Sequence, residues 1–290
     1  MSRILNLLNL APSLLLALSL TLASNAVFAD AASAQLAMED SQNPLMLINT
    51  SQGEVYLELF PGEAPLNTAN FIGLAEGEVD IIEPESGISF TRRYFNGMRF
   101  HRVVPGFVIQ GGSPAYNPFG APAELLADEI NADYLGLDTL AVLNADGSFN
   151  EMLNISSKQD FETEILKPLY LKMRIDTPAD LLARQNEVLT QLQQLTVKTA
   201  YENQGYRYSP ANSSRKVSRG VIAMANSGPD SNGPEFFISL EDADWLTGKH
   251  TVIGKVVEGM DVADTIGATA IDDSEFSRLS TMIYSIRRVN

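Results

Sequence analysis

Short apolar runs separated by turn residues are the feature that most limits how this 290-residue chain can fold. In the first pair, residues 45–48 and 55–60 flank a polar segment ending in Gly53, which is typical of a β-hairpin. Six further runs have the same character: residues 99–104, 108–110, 221–224, 235–240, 251–257 and 283–289. These short strands predict a mainly β fold, and we expect a closed eight-stranded antiparallel barrel.

Two short segments predict the helices of this framework. Residues 65–75 and 260–266 place apolar side chains at near-helical spacing. Residues 80–93 contain a proline and a glycine between polar residues, and we expect them to form a loop. The barrel and its two helices are therefore predicted over residues 45–133 and 217–290.

Residues 134–216 depart from this β pattern and predict helices. Thr177 is suited to cap a helix whose first position is Pro178, with an acidic residue in its first turn. Apolar residues then share one broad face: Leu181, Leu182, Val188, Leu189, Leu192 and Leu195. Upstream, apolar residues recur at every fourth position, where Pro168 is expected to kink or restart the helix: Phe161, Ile165, Leu169 and Met173. We predict a helical hairpin inserted into the β fold.

The N-terminal residues 1–29 have the pattern of an export signal. Arg3 precedes an uncharged, leucine-rich run, and small residues near the end favour cleavage after Ala29. An uncleaved membrane anchor is the alternative, but polar residues and a proline shorten the apolar stretch. We expect no stable membrane insertion after cleavage, and residues 30–44 are predicted to be a flexible leader.

Charge and residue types exclude several classes of function. The formal net charge of −16 disfavours nucleic acid as a partner, because the surface would repel phosphates. The chain has no cysteine and two histidines, so thiol chemistry and a histidine-rich metal site are not expected. No phosphate-binding or nucleophile motif is present, and no cofactor is predicted.

Three segments in order carry a resemblance to a known family. They are Phe-His-Arg-Val-Val-Pro-Gly-Phe-Val-Ile-Gln-Gly-Gly at 100–112, Arg-Gly-Val-Ile-Ala-Met-Ala-Asn at 219–226 with Phe-Phe-Ile after it, and Trp-Leu-Thr-Gly-Lys-His-Thr-Val-Ile-Gly-Lys-Val at 245–256. Together they resemble the cyclophilin-type peptidyl-prolyl cis/trans isomerases, here in an exported, bacterial-like form with a large helical insertion. The resemblance implies a cyclophilin-like barrel and covers neither the leader nor residues 134–216.

The resemblance makes Arg102 the central catalytic residue. Rotation about a peptide bond has a barrier of about 18–20 kcal/mol, because the nitrogen lone pair is delocalised into the carbonyl. A guanidinium directed at the prolyl nitrogen favours the localised lone pair of the twisted state. Neither a covalent intermediate nor a cofactor is implied.

The same resemblance assigns the surrounding positions. Phe107, Gln110 and His250 join Arg102 as catalytic residues, with Gln110 as a polar wall. Substrate-binding residues complete the predicted groove: Val108, Ala225, Asn226, Phe237, Trp245 and Leu246. Trp245 matches the position whose indole contacts cyclosporin in sensitive members, which makes cyclosporin a candidate ligand.

The chain also departs from the family pattern beside this predicted groove. Glu235 stands where glutamine is usual, Pro234 replaces a small polar residue, and Val108 replaces the common methionine. Residues 117–126 replace a more glycine-rich loop. We interpret Glu235 as a solvated charge at the rim and His101 as a framework residue, and these changes leave substrate preference open.

The predicted function is acceleration of X-Pro bond rotation in exported proteins. The expected partners are proline-containing peptides and unfolded exported proteins, in the periplasm or outside the cell. The alternative is a peptide-binding chaperone or adaptor in which the inserted helices engage clients. The apolar face of the insertion motivates this alternative, although that face could equally pack against the rest of the chain.

Overall fold

A computed structural model of the chain describes residues 30–269 and 280–290, so the predicted signal at residues 1–29 lies outside the described residues. The strands are β1 (Leu45–Thr50), β2 (Gly53–Leu59), β3 (Asp80–Ile82), β4 (Ser89–Thr91), β5 (Phe100–Val104), β6 (Val108–Gly111), β7 (Val221–Met224), β8 (Phe236–Ser239), β9 (Val252–Glu258) and β10 (Ile283–Arg288). Eight of them form one antiparallel sheet in the order β10-β1-β2-β9-β7-β8-β6-β5. Strands β3 and β4 pair separately, within the segment predicted as a loop.

The prediction of a closed barrel was wrong, because the large sheet curls into an open half-barrel. Arg99 and Met282, which directly precede the edge strands β5 and β10, form a single bridge, and the described residues show no continuous ladder between these two strands. Single backbone hydrogen bonds also cross this seam, as from Phe100 N to Thr281 O at 3.1 Å. Gly97, in the turn before β5, donates its N–H to Ile283 O at 2.9 Å, so a turn residue and not a strand faces the start of β10.

The concave side of the sheet holds the main core. Four phenylalanines are fully buried there: Phe71, Phe95, Phe100 and Phe236. The centre of the Phe236 ring lies 5.4 Å from that of Phe71, 5.5 Å from that of Phe95 and 6.2 Å from that of Phe100. Edge-to-face contacts of this kind add to the stabilisation gained by removing the rings from water. This aromatic cluster fixes the strands whose opposite faces carry the predicted site.

The α-helices are α1 (Ala31–Ala37), α2 (Pro65–Glu76), α3 (Lys158–Asp160), α4 (Lys167–Met173), α5 (Pro178–Ala183), α6 (Gln185–Gln194), α7 (Val197–Asn203) and α8 (Met260–Gly267). Helices α2 and α8 confirm the two predicted framework helices, and both pack against the main core. The predicted flexible leader differs from the structure. Asp30 caps α1 by accepting hydrogen bonds from Ala32 N and Ser33 N, and Ala34 is fully buried beside β1 and β2.

The predicted helical hairpin in the insertion is not confirmed, because the helices there are short and interrupted. A π-helical turn at Phe161–Leu166 precedes α4, whose second residue is Pro168. Arg174 then ends α4 in the left-handed conformation, and Arg184 leaves helical geometry between α5 and α6. Leu169, Met173, Leu181, Val188 and Leu192 nevertheless pack together in one small cluster, in which Leu169 and Val188 are buried.

A larger group of apolar side chains forms a separate core of the insertion. Its buried members are Ala132, Leu137, Val142, Met152, Leu153, Ile165, Leu195, Val197, Ala200, Tyr201 and Tyr206. Leu182 and Leu189, predicted on the apolar face, remain 71% and 55% exposed. Client binding by the insertion therefore stays a prediction, and much of its apolar surface is already used for packing.

The insertion packs directly behind the loop of residues 247–250. The Tyr208 hydroxyl donates a hydrogen bond to Gly248 O at 2.9 Å, and Lys249 Nζ lies 4.6 Å from the centre of the Tyr201 ring. Burial lowers the pKa of Lys249, while Glu164, 4.0 Å away, opposes that shift. This loop leads into β9, so the insertion supports one side of the predicted site.

Within residues 30–269 and 280–290, no helix has the length and apolar character needed to cross a bilayer.

Candidate active site

Strand alternation places the predicted site on the convex side of the sheet. Successive side chains of a strand point to opposite faces, so Phe236 enters the main core while Phe237 lies on the other side. Ile109 and Val108 divide in the same way on β6. The second face lines a groove of about 300 Å³ formed by Arg102, Phe107, Val108, Gln110, Ala225, Asn226, Phe237, Leu246 and His250. Nine of the ten predicted site residues therefore meet at one groove.

Arg102 and Gln110 form the polar side of the groove. They lie opposite each other in the pairing of β5 with β6, and Arg102 Nη1 donates to Gln110 Oε1 at 3.0 Å. The guanidinium is exposed and its central carbon lies 5.9 Å from the centre of the Phe107 ring. Arg102 thus remains available to a ligand while one of its nitrogen atoms is held in place.

Phe107, Val108, Phe237 and Leu246 form the apolar side of the groove. Val108 and Phe237 are 2% and 3% exposed, so both are rigid parts of the wall. Phe107 follows a tight turn in which its N–H donates to Val104 O at 3.0 Å and Gly106 adopts a φ of +65°. An apolar slot of this kind can hold a proline ring and exclude water.

His250 closes the groove beside Phe237, with ring centres 5.4 Å apart and planes at 88°. Its Nδ1 lies 3.0 Å from Met224 O, and a carbonyl oxygen only accepts, so hydrogen resides on Nδ1. Burial lowers the pKa of His250 below its ordinary value, with Lys249 adding to the shift and the Met224 hydrogen bond opposing it. A neutral imidazole at neutral pH is suited to packing and hydrogen bonding against a substrate.

Ala225 and Asn226 continue from β7 along the floor of the groove. Ala225 N donates to Glu235 O at 2.9 Å, and Asn226 Nδ2 donates to Lys249 O at 2.9 Å. These bonds tie the floor to the wall that carries His250. A second cavity of about 350 Å³ adjoins it, sharing Gln110, Ala225 and Asn226 with the groove.

Trp245 is the predicted site residue that does not line the groove. Its ring packs against Phe107 at a centroid distance of 5.6 Å, and it faces a separate cavity beside the insertion. It therefore supports the groove through Phe107. Cyclosporin binding stays a prediction.

Two residues interpreted as peripheral prove to belong to the polar side. Glu235 Oε1 accepts hydrogen bonds from His101 Nε2 at 2.8 Å and from Gln110 Nε2. Burial raises the pKa of Glu235, but the hydrogen bonds from His101 and Gln110 outweigh it, and the pKa lies below its ordinary value. Glu235 is thus an ionised, partnered residue and not a solvated rim charge. Alternation from Phe236 could have placed Glu235 on the groove side, but its partners are not visible in the sequence.

The loop that departs from the family pattern forms the outer border of the second cavity. Leu125 lines that cavity while remaining 61% exposed, and Leu126 exchanges backbone hydrogen bonds with Asn232. Arg92 stacks over the Phe119 ring at 3.4 Å. The loop of residues 117–126 is therefore held at the rim by contacts with residues outside the loop, Arg92 and Asn232.

An open groove with one cation opposite an apolar slot defines a class of binding site suited to prolyl peptides, and a curled eight-stranded sheet carries it. No cluster of three metal-ligating side chains occurs in the described part of the chain. The family model for "cyclophilin type peptidyl-prolyl cis-trans isomerase/CLD" matches residues 45–288. The chain belongs to this family and is a peptidyl-prolyl cis/trans isomerase.

Individual relatives are distant but matched over most of their length. Peptidyl-prolyl cis-trans isomerase B of Streptomyces anulatus is 28% identical, over 77% of this chain and 82% of that protein. Peptidyl-prolyl cis-trans isomerase A of Mycobacterium tuberculosis is 24% identical, over 82% and 88%, respectively. A crystal structure of a cyclophilin type isomerase from Cryptosporidium parvum is 19% identical with a TM-score of 0.47, covering 86% of this chain and 98% of that one. Because this TM-score is low, the assignment rests on the family match.

Proposed function

We propose that the chain accelerates X-Pro rotation by binding the twisted prolyl bond between Arg102 and the apolar slot. The observation that carries this proposal is the meeting of Arg102, Phe237 and His250 at one open groove. In the twisted state the prolyl nitrogen regains a localised lone pair, to which a guanidinium N–H can donate. A donor that meets this lone pair only in the twisted state lowers the barrier, because it does not stabilise the planar states equally.

The apolar side contributes by holding the ring and by excluding water. Phe107, Val108, Phe237 and Leu246 offer no hydrogen bond to the proline ring, and they remove water that would otherwise solvate the planar amide. Ala225 and Asn226 line the floor on which the peptide would lie. No proton is transferred, because the reaction is a rotation about one bond.

A protease-coupled assay on a chain beginning at Asp30 tests this proposal directly. We expect faster isomerisation of an Ala-Pro reporter peptide, inhibited by an unlabelled peptide containing proline. The matched competitor has alanine in place of that proline and should inhibit weakly, because it cannot fill the slot. A rate equal to the uncatalysed rate, or equal inhibition by both competitors, would contradict the proposal.

We propose that the clients are unfolded exported proteins and that the enzyme works in the periplasm or outside the cell. The support is the signal-like pattern of residues 1–29, which places the expected cleavage site directly before Asp30, the cap of α1. Mass spectrometry of the exported chain should find Asp30 as the N-terminal residue. Recovery of the intact chain from the cytoplasm alone would argue against this location.

A further inference from the structure

The polar side of the groove contains a chain of hydrogen bonds that ends at the proposed catalytic cation. Arg102 donates to Gln110 Oε1, Gln110 Nε2 donates to Glu235 Oε1, and His101 Nε2 faces the same carboxylate oxygen. The side chains of His101 and Glu235 are 9% and 23% exposed. We propose that Glu235 is a positioning residue, which sets the orientation of Arg102 through the Gln110 amide.

The chemistry of the three groups gives this chain one favoured direction. A glutamine amide can rotate to exchange its oxygen and nitrogen, and the two orientations are distinguished by their partners. An ionised carboxylate only accepts, while a guanidinium only donates. Glu235 therefore holds the Gln110 nitrogen, which leaves the Gln110 oxygen facing Arg102. The reverse orientation would place two donors together and two acceptors together.

His101 fixes the carboxylate at the other end of the chain of bonds. Its Nδ1 is buried and has no hydrogen-bond partner among the described residues, so a hydrogen there would be costly. Hydrogen on Nε2, by contrast, is donated to Glu235 at 2.8 Å. Tyr116 stacks on the imidazole, with ring centres 5.1 Å apart and planes at 29°. The oxygen of Glu235 that accepts from Gln110 thus also accepts from His101, which holds the carboxylate in place.

The position of Glu235 in the fold explains why it can act on β6. It immediately precedes β8, and β8 pairs with β6 so that Phe237 lies opposite Gln110. Arg102 lies opposite Gln110 on the other side, in β5. A register irregularity between Phe100 and Arg102 accommodates His101. Three neighbouring strands thus bring the four polar side chains into one row.

The inference rests on the role proposed for Arg102, and a double-mutant cycle separates the two. We expect Glu235→Ala to lower kcat about tenfold with KM little changed, because a displaced Arg102 weakens contact with the twisted state. Glu235→Gln should recover most of this loss, since its amide oxygen can still accept from Gln110. In a Gln110→Ala background, Glu235→Ala should have little further effect. Glu85→Ala removes an exposed carboxylate in the β3–β4 turn and serves as the control.

A spectroscopic measurement tests the geometry independently of turnover. The side-chain amide protons of Gln110, assigned by their loss in Gln110→Ala, should move towards ordinary shifts in Glu235→Ala and change less in Glu235→Gln. Far-ultraviolet circular dichroism and the amide spectrum of the core would identify a variant that fails to fold. In that event, His101→Phe, which keeps the stacked ring and removes the Nε2 donor, should show a smaller shift of the same Gln110 protons.

Different failures have different meanings. If Arg102→Ala keeps full activity, the proposed function of Arg102 is wrong. If Arg102→Ala loses activity but Glu235→Ala costs as much with Gln110 absent as with Gln110 present, the positioning role is overturned while the proposed function stands. An effect of Glu235→Ala on KM alone would also overturn it, since that result would indicate a contact with substrate.

Discussion

Replacing Arg102 by alanine is expected to lower kcat/KM by about a hundredfold or more, by analogy with the removal of one donor that stabilises a transition state. Arg102 supplies the guanidinium that lines the groove, and its Nη1 is held by a hydrogen bond to Gln110 Oε1. Arg102→Lys should recover only part of the activity, because an ammonium lacks the planar, fixed arrangement of donors. The measurement is the catalysed isomerisation rate of an Ala-Pro peptide.

The control for this prediction is Arg93→Ala. Arg93 is an exposed arginine outside the groove lining, so its removal changes net charge by the same amount. Affinity for a prolyl peptide, measured separately by titration, should change less than kcat in Arg102→Ala. If Arg102→Ala keeps more than about half of the wild-type rate, guanidinium donation cannot be a main source of catalysis.

The largest loss of stability is expected for Phe236→Ala, at about 3–5 kcal/mol in the free energy of unfolding. Phe236 is fully buried and touches Phe71, Phe95 and Phe100 in the main core. Its loss removes a large apolar surface and leaves a cavity that rigid strands cannot readily close. Urea unfolding followed by circular dichroism measures this change.

Tyr134→Ala provides the matched aromatic control for that measurement. Tyr134 is 67% exposed, so its removal should alter the free energy of unfolding by no more than about 0.5 kcal/mol. Similar losses in the two variants would show that the core assigned to Phe236 is not the one that stabilises the chain. Phe236→Ala should also weaken catalysis in the remaining folded molecules, because Phe237 is its neighbour in β8.

The local framework could be predicted because short-range patterns determine it. Alternation within strands separates Phe236 from Phe237, and helical spacing locates α2 and α8. The closure of the sheet could not be predicted in the same way. It depends on how Arg99 and Met282 meet across the seam, and these residues are far apart in sequence. In the insertion, Leu181, Val188 and Leu192 do pack in one cluster, but the sequence did not reveal the break at Arg184 or the exposure of Leu182 and Leu189.

The candidate site was predictable where a residue's type alone carries its chemistry. Arg102 and Phe237 are such residues, and the groove does contain both. Glu235 was interpreted as a solvated charge because its hydrogen-bond partners cannot be seen in the sequence. They depend on the pairing of β8 with β6 and on the register irregularity that accommodates His101. Trp245 packs against Phe107 and does not line the groove, so its part in substrate binding stays a prediction. Which side chains become partners is set by register, and register is a property of the assembled sheet.

The packing of the insertion behind residues 247–250 connects the core of the insertion to the wall of the groove that carries His250. Tyr208 binds Gly248 O, and a Cβ at Gly248 would lie 2.5 Å from Leu137 of the insertion core. The wall of the groove that carries His250 is therefore supported by residues of the insertion, which lie outside the β framework. Local unfolding of the insertion would release that wall before the sheet itself opened, so groove integrity and sheet stability can be lost at different temperatures. Removing the insertion would accordingly remove the packing that supports residues 247–250, along with any client-binding surface.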